Sequence, residues 1–355
     1  YTTIQLLISF YVVAFGTAQL FVGPMADVFG RRRVLIGGLS LYAVSSMLCA
    51  VAPTFELLMG FRMLQAVGAC SGIVLARAII RDHFDERQST KYMGYLAMGI
   101  AVGPMVAPLA GGVIYEMAGW RGLFWTLAAI GAAGLALAWI FIADSGEKRT
   151  GPDRLTRLFR EIGILVRNPR FLLYTLNICF HTGMFYAFVV GGPYLASEFL
   201  QMTPKTYGAW FATAAVGYAS GNFLAGRLIG LFRNEHVVLT GAVSAFFFCI
   251  VLTGILAADL HSPPAIFATV AAMTLSSGLL MPNSYAGALS ADPPLAGSAS
   301  GFTGFLQFSF AAIFSTIAGL AIEIVGHPVA LSLVMTLGAT VGLVTSATMV
   351  ATRRP

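Results

Sequence analysis

An all-α membrane protein built as two helix bundles is the fold class this sequence predicts, on three observations. Apolar residues make up 57% of the 355 positions and charged residues 10%, against about 25% charged in an ordinary soluble domain. A chain so poor in charge cannot cover a water-facing surface, so its solvent is lipid. Eleven stretches are long and apolar enough to cross a bilayer: roughly 3–24, 34–52, 57–79, 92–115, 122–143, 171–195, 207–230, 237–258, 265–288, 298–322 and 328–350. The cations fall in alternate gaps between them, as the positive-inside rule requires of a multi-pass protein. The same composition argues against a single soluble domain, a disordered chain and a nucleic-acid binder.

In chain order, Arg31, Arg32 and Arg33 follow the first stretch, and Arg81, Arg87 and Lys91 follow the third. Lys148, Arg149, Arg154, Arg157, Arg160, Arg167 and Arg170 follow the fifth. Arg227 and Arg233 close the seventh, and Arg353 and Arg354 end the chain, with Arg121 and Lys205 the main exceptions. The net charge of +6 is therefore read as topology rather than as an acidic partner. The loops after the odd-numbered stretches and the C-terminus are expected on the cytoplasmic side, with Tyr1 outside.

The gap at 144–170 is the longest and most charged, and divides an N-terminal bundle, 1–143, from a C-terminal bundle, 171–355. Within it Arg154–Arg167 reads as an amphipathic helix lying along the membrane surface, with Leu155, Leu158, Ile162 and Leu165 on one face. A weak repeat supports two halves. Gly23-Pro-Met-Ala-Asp27-Val-Phe-Gly30-Arg31 ends the first stretch, and Gly226-Arg227-Leu-Ile-Gly230-Leu-Phe-Arg233 ends the seventh in register. Parallel repeats make the first stretch the second helix of its half. The expectation is two six-helix bundles with the first helix absent and eleven helices present.

Several side chains carry chemistry. Asp27 sits at a membrane boundary beside Arg31 and is expected to pair with an arginine or to cap a neighbouring helix, where the dipole favours a carboxylate. Arg62 lies inside the third stretch; a cation there costs about 2.5–3.5 kcal/mol on insertion scales and must find water, the bundle interior or a carboxylate. Gln65, nearly one turn on, shares its face. The segment 99–112 carries Gly99, Gly103, Pro104, Pro108, Gly111 and Gly112, glycines for close helix approach and prolines that each remove a backbone bond. Asn177, His181, Met184 and Phe185 recur at helical spacing in the sixth stretch; Gln307 is a lone amide among phenylalanines, Asn283 follows Pro282, and Tyr11 lies in the first stretch. Polar groups at such depth usually face an interior or a cavity, and the aromatic and methionine side chains suit bulky apolar ligands. Cys49, Cys70, Cys179 and Cys249 all lie in apolar stretches without metal-ligand spacing and read as small hydrophobes; no metal and no cofactor is expected.

The stretch Gly23–Arg33 resembles the signature loop of the major facilitator superfamily, and three further motifs extend the resemblance over nearly the whole chain. Arg62-Met-Leu-Gln65-Ala-Val-Gly68 looks like the family's fourth-helix motif, and Gly99–Gly112 like the fifth-helix motif of its proton-driven antiporters. Leu75-Ala-Arg77-Ala-Ile-Ile-Arg81-Asp82 looks like a stretch of the Bcr/CflA multidrug efflux branch. The resemblance implies that Asp27, Arg31, Arg62, Gln65, Gly103, Pro104 and Pro108 take part in proton coupling and conformational switching. It also implies that the proton-accepting acid lies in the absent first helix. Tyr11, Asn177, His181, Met184, Phe185, Asn283 and Gln307 are expected to line the substrate cavity.

The expected function is proton-coupled export of drugs or other small amphipathic molecules by alternating access, with protons and the lipid bilayer as the other partners. The expected protein is a monomer in a bacterial cytoplasmic (inner) membrane and not an enzyme. Two alternatives stand beside it: a transporter of one metabolite such as an amino acid, and an inactive or structural membrane fragment.

Overall fold

The computed structural model describes residues 2–83, 86–142, 154–228 and 231–352. Its helices are α1 (Thr2–Phe29), α2 (Arg31–Val51), α3 (Phe55–His83), α4 (Glu86–Phe141), α5 (Arg154–Val166), α6 (Pro169–Tyr194), α7 (Pro204–Leu228), α8 (Asn234–Ala257), α9 (Pro263–Leu289), α10 (Ala296–Val325) and α11 (Val329–Thr352). α5, at 13 residues, is shorter than the roughly 20 needed to span lipid. α4, at 56 residues, is two spans that meet at Gly119, where φ is 64° and ψ is −171°, a backbone conformation glycine adopts without steric cost. The described residues thus hold eleven membrane helices, the expected number, in a two-bundle, all-α fold.

Helix ends differ from the expected edges. α1 runs on through Pro24 and Asp27, so the connection to α2 shrinks to Gly30 alone, at φ 94°. Arg31–Arg33 consequently form the first turn of α2, at the end where the dipole disfavours cations. Arg32 reaches instead to the end of α4. Its Nε donates to Ile142 O at 2.5 Å, a second nitrogen donates to Trp139 O at 3.0 Å, and the guanidinium lies 5.5 Å from the Trp139 ring centroid. A cation on terminal carbonyls is favourable.

Contacts divide the chain into two compact units. One comprises Tyr1–Ser9, Ala101–Val113 and Glu161–Pro355, the other Phe10–Ile100 and Ile114–Arg160. In the larger unit α6 packs against α10 and α11, and α9 against α7 and α8. Its core gathers Met184, Phe188, Phe211, Leu252, Phe267, Met273, Phe314 and Met335. Small residues permit the closest crossings. A Cβ at Gly217 or Gly221 of α7 would run into the carbonyl oxygens of Ala271 or Leu275 on α9, and one at Gly278 into Tyr218 O. In the smaller unit α2 packs on α3, with Gly68 against the backbone of Gly38 and Tyr42. Trp139, Ile140 and Phe141 stand exposed, as lipid-facing side chains do.

The C-terminal half of amphipathic α5, from Glu161, packs within the larger unit. Leu165 is fully buried beside Phe171 and Tyr174, Ser298 at the start of α10 donates to Glu161, and Asn168 caps α6 through Arg170 N and Phe171 N while donating to Ala291 O.

Candidate functional site

In the smaller unit, Arg62 is the centre of a directional polar chain. One Nη donates to Gln65 Oε1 at 2.5 Å, Gln65 Nε2 donates to Ser46 Oγ at 2.7 Å, and Ser46 Oγ donates to Tyr42 O at 2.6 Å. Every donor points the same way, an arrangement in which successive bonds polarise one another. Gln65 and Ser46 are fully buried. The guanidinium lies over the Tyr11 ring, 4.2 Å from its centroid, and 5.7 Å from that of Phe124. Cation–π contacts of this kind strengthen where water is excluded. Among the described residues Arg62 forms no salt bridge. A guanidinium carries five N–H donors, so its donors are not exhausted by Gln65.

In the larger unit, Asn177 ties three helices together. Its Nδ2 donates to Gly342 O at 3.0 Å and to Ser346 Oγ at 2.6 Å on α11, and its Oδ1 accepts from Ser284 Oγ of α9 at 3.0 Å. His181, one turn on, places Nδ1 2.9 Å from Asn177 O, and a Cβ at Gly342 would overlap its ring. Gln307 bridges α6 and α9, accepting from Tyr285 Oη and donating from Nε2 to Thr182 Oγ1 at 2.9 Å. Replacing Asn177 by Leu strands the Ser284 hydroxyl and removes one of the donors to Gly342 O and Ser346 Oγ, at about 1–3 kcal/mol. Detergent-solubilised Asn177→Leu is therefore expected to melt several degrees lower, with Asn177→Ser recovering part of the loss.

The sequence-predicted residues fall into separate groups. Arg62, Gln65 and Tyr11 come together in one unit, so Tyr11 lies against the arginine rather than with the α6 residues. Asn177, His181 and Met184 are packed inside the larger unit, with exposures of 0%, 1% and 0%. Phe185 is half-buried beside Phe211, 6.3 Å between centroids. Asn283 turns back to Leu279 O at 2.9 Å, while its own carbonyl accepts from Asn234 Nδ2 at 2.8 Å. Gly103 has open space around it; the close approach belongs to Gly112, where a Cβ would meet Pro204 O and the Lys205 backbone at 2.9 Å. Arg31 opens α2. The side chains of Asp27, Pro104 and Pro108 lie outside the described residues, although their backbone is helical.

Ser46, Tyr42, Phe124, Ser284, Ser346, Thr182 and Tyr285 complete these networks without having been singled out in the sequence. Serine and threonine at i and i+4 back-bond so commonly in membrane helices that no local signal separates the network members from the rest.

The family model described as Major Facilitator Superfamily matches residues 1–316. An uncharacterised MFS-type transporter, YdgK, of Bacillus subtilis is 30% identical over 89% of this chain and 79% of its own length. A chloramphenicol resistance protein of Pseudomonas aeruginosa is 32% identical over 68% of this chain and 57% of its own, so the match spans less than two thirds of that relative. A bicyclomycin resistance protein homolog of Haemophilus influenzae is 27% identical over 86% of this chain and 77% of its own. Among solved structures, that of a D-xylose-proton symporter superposes with a TM-score of 0.79 at 13% identity, covering 98% of this chain and 87% of the symporter. At that identity the likeness concerns the fold alone.

Proposed function

The chain belongs to the Major Facilitator Superfamily, as a multi-pass secondary transporter of small molecules in a bacterial inner membrane, and from that premise we propose that it exports small amphipathic molecules in exchange for protons, in the manner of the Bcr/CflA multidrug branch. The observation that carries the proposal is the chain from Arg62 through Gln65 and Ser46 to the Tyr42 carbonyl, with a guanidinium held against Tyr11 inside a membrane span. A half-buried cation with donors to spare can hold a carboxylate ionised and give it up when that carboxylate is protonated. The two states differ in which partner Arg62 holds, and a difference of partners is what proton binding needs in order to bias one conformation. The names of the chloramphenicol and bicyclomycin relatives support an amphipathic drug as cargo. In this reading 144–170 links the two halves on the cytoplasmic side, where the C-terminus also lies. Asp27 and the Gly103–Pro108 segment serve the conformational switch, and the half-buried Phe185 and Gln307 contribute to the cargo surface.

The test is transport by the full-length protein in liposomes with chloramphenicol as probe. Uphill movement driven by an imposed proton gradient, collapsed by a protonophore, is the expected result. Chloramphenicol movement indifferent to the gradient would overturn antiport, and failure to move it alongside gradient-driven movement of an amino acid would overturn the cargo class.

A further inference from the structure

Three sulfur atoms converge in the core of the larger unit. Cys249 Sγ on α8 lies 3.4 Å from Met184 Sδ on α6 and 3.5 Å from Met273 Sδ on α9. All three residues are buried, at 0%, 0% and 1% exposure, among apolar neighbours that include Phe188, Leu252 and Val270. The ligands come from three different helices, so their spacing along the chain carries no metal signature.

We propose that Cys249, Met184 and Met273 form a binding site for a monovalent soft cation, Cu(I) or Ag(I). Thiolate and thioether sulfurs select soft cations, whereas hard and borderline divalent ions seek oxygen or nitrogen donors. Charge decides in the same direction. When the Sγ–metal bond forms, the Cys249 S–H bond breaks and its proton leaves to solvent, so a monovalent cation and one thiolate sum to zero. A divalent ion with the same ligands would leave an unpaired positive charge in an apolar core, at high cost. Trigonal metal–sulfur bonds of about 2.3 Å need sulfurs about 4 Å apart. The two separations from Cys249 Sγ, 3.4 and 3.5 Å, are about half an ångström short of that, which the flexible torsions of two methionines supply. The site does not depend on the export proposal.

The experiment titrates the purified full-length protein in detergent with Ag(I), measuring metal retained after gel filtration and protons released. One equivalent retained, with one proton released per metal, is expected. The Cys49→Ala/Cys70→Ala/Cys179→Ala triple variant should keep that equivalent, and Cys249→Ala should lose it. Met184→Leu and Met273→Leu conserve core volume and should each weaken binding by more than about tenfold while melting as wild type does. No stoichiometric Ag(I) in the wild type would overturn the site. Equal retention by Cys249→Ala, or unchanged affinity in the two methionine variants, would do so as well, leaving the sulfurs as core packing.

Discussion

Gly221→Leu is expected to abolish the folded protein rather than to impair it. The α7–α9 crossing brings Gly221 so near the Leu275 carbonyl that even a Cβ would overlap it, and Gly217 and Gly278 flank the same seam. The obstacle is backbone on a neighbouring helix, which no rotamer change can move aside. Overpacking commonly costs about 1–3 kcal/mol and more where the surroundings cannot relax, and close glycine contacts are a principal source of association between membrane helices. The variant should lose its monodisperse peak in detergent size exclusion. Gly226→Leu, on the same helix with open space around it, should elute and melt as wild type does. Equal behaviour of the two variants would mean that the crossing is looser than described.

Arg62→Ala should fold, insert and lose proton-driven export, a drop of two or more orders of magnitude in gradient-driven flux, on the order of 3 kcal/mol. The substitution removes the donor at the head of the Gln65–Ser46 chain and the cation over Tyr11. Gln65 Nε2 keeps its bond to Ser46, and the donor lost from Gln65 Oε1 costs about 1–3 kcal/mol, a penalty borne at one amide while the α2–α3 packing stays in place. Arg62→Lys should restore only part of the flux. An ammonium keeps the charge but lacks the planar fork that can hold Gln65 and a carboxylate at once. A lysine variant fully equal to wild type would mean that charge alone suffices.

Much of this fold was legible because lipid imposes a length and a composition on every span, and eleven spans follow from that constraint. The edges were less legible. Gly30 at φ 94° reduces a connection read as nine residues to one, and Gly119 at φ 64° reduces the connection read between 92–115 and 122–143 to a single non-helical residue. Both depend on dihedral choices that glycine leaves open. The pairs Arg62–Gln65 and Asn177–His181 were legible because residues three or four apart share a helix face. Their partners Ser46, Ser284 and Ser346 were not, since helix order along the chain does not fix the rotation of α2, α9 or α11 about their axes. The α7–α9 glycine seam was missed for the same reason: many glycines in the chain look alike, and only packing separates Gly221 from Gly226.

In the proposed mechanism Arg62 exchanges partners as cargo and proton exchange. That switch of partners is tested most directly by proton release from the solubilised full-length protein in weak buffer, followed as cargo is added. The prediction is a saturable pulse of protons on adding chloramphenicol to wild type, and none from Arg62→Ala even where equilibrium binding of chloramphenicol persists. An undiminished pulse from Arg62→Ala at matched cargo occupancy would contradict it and place the proton linkage elsewhere in the molecule.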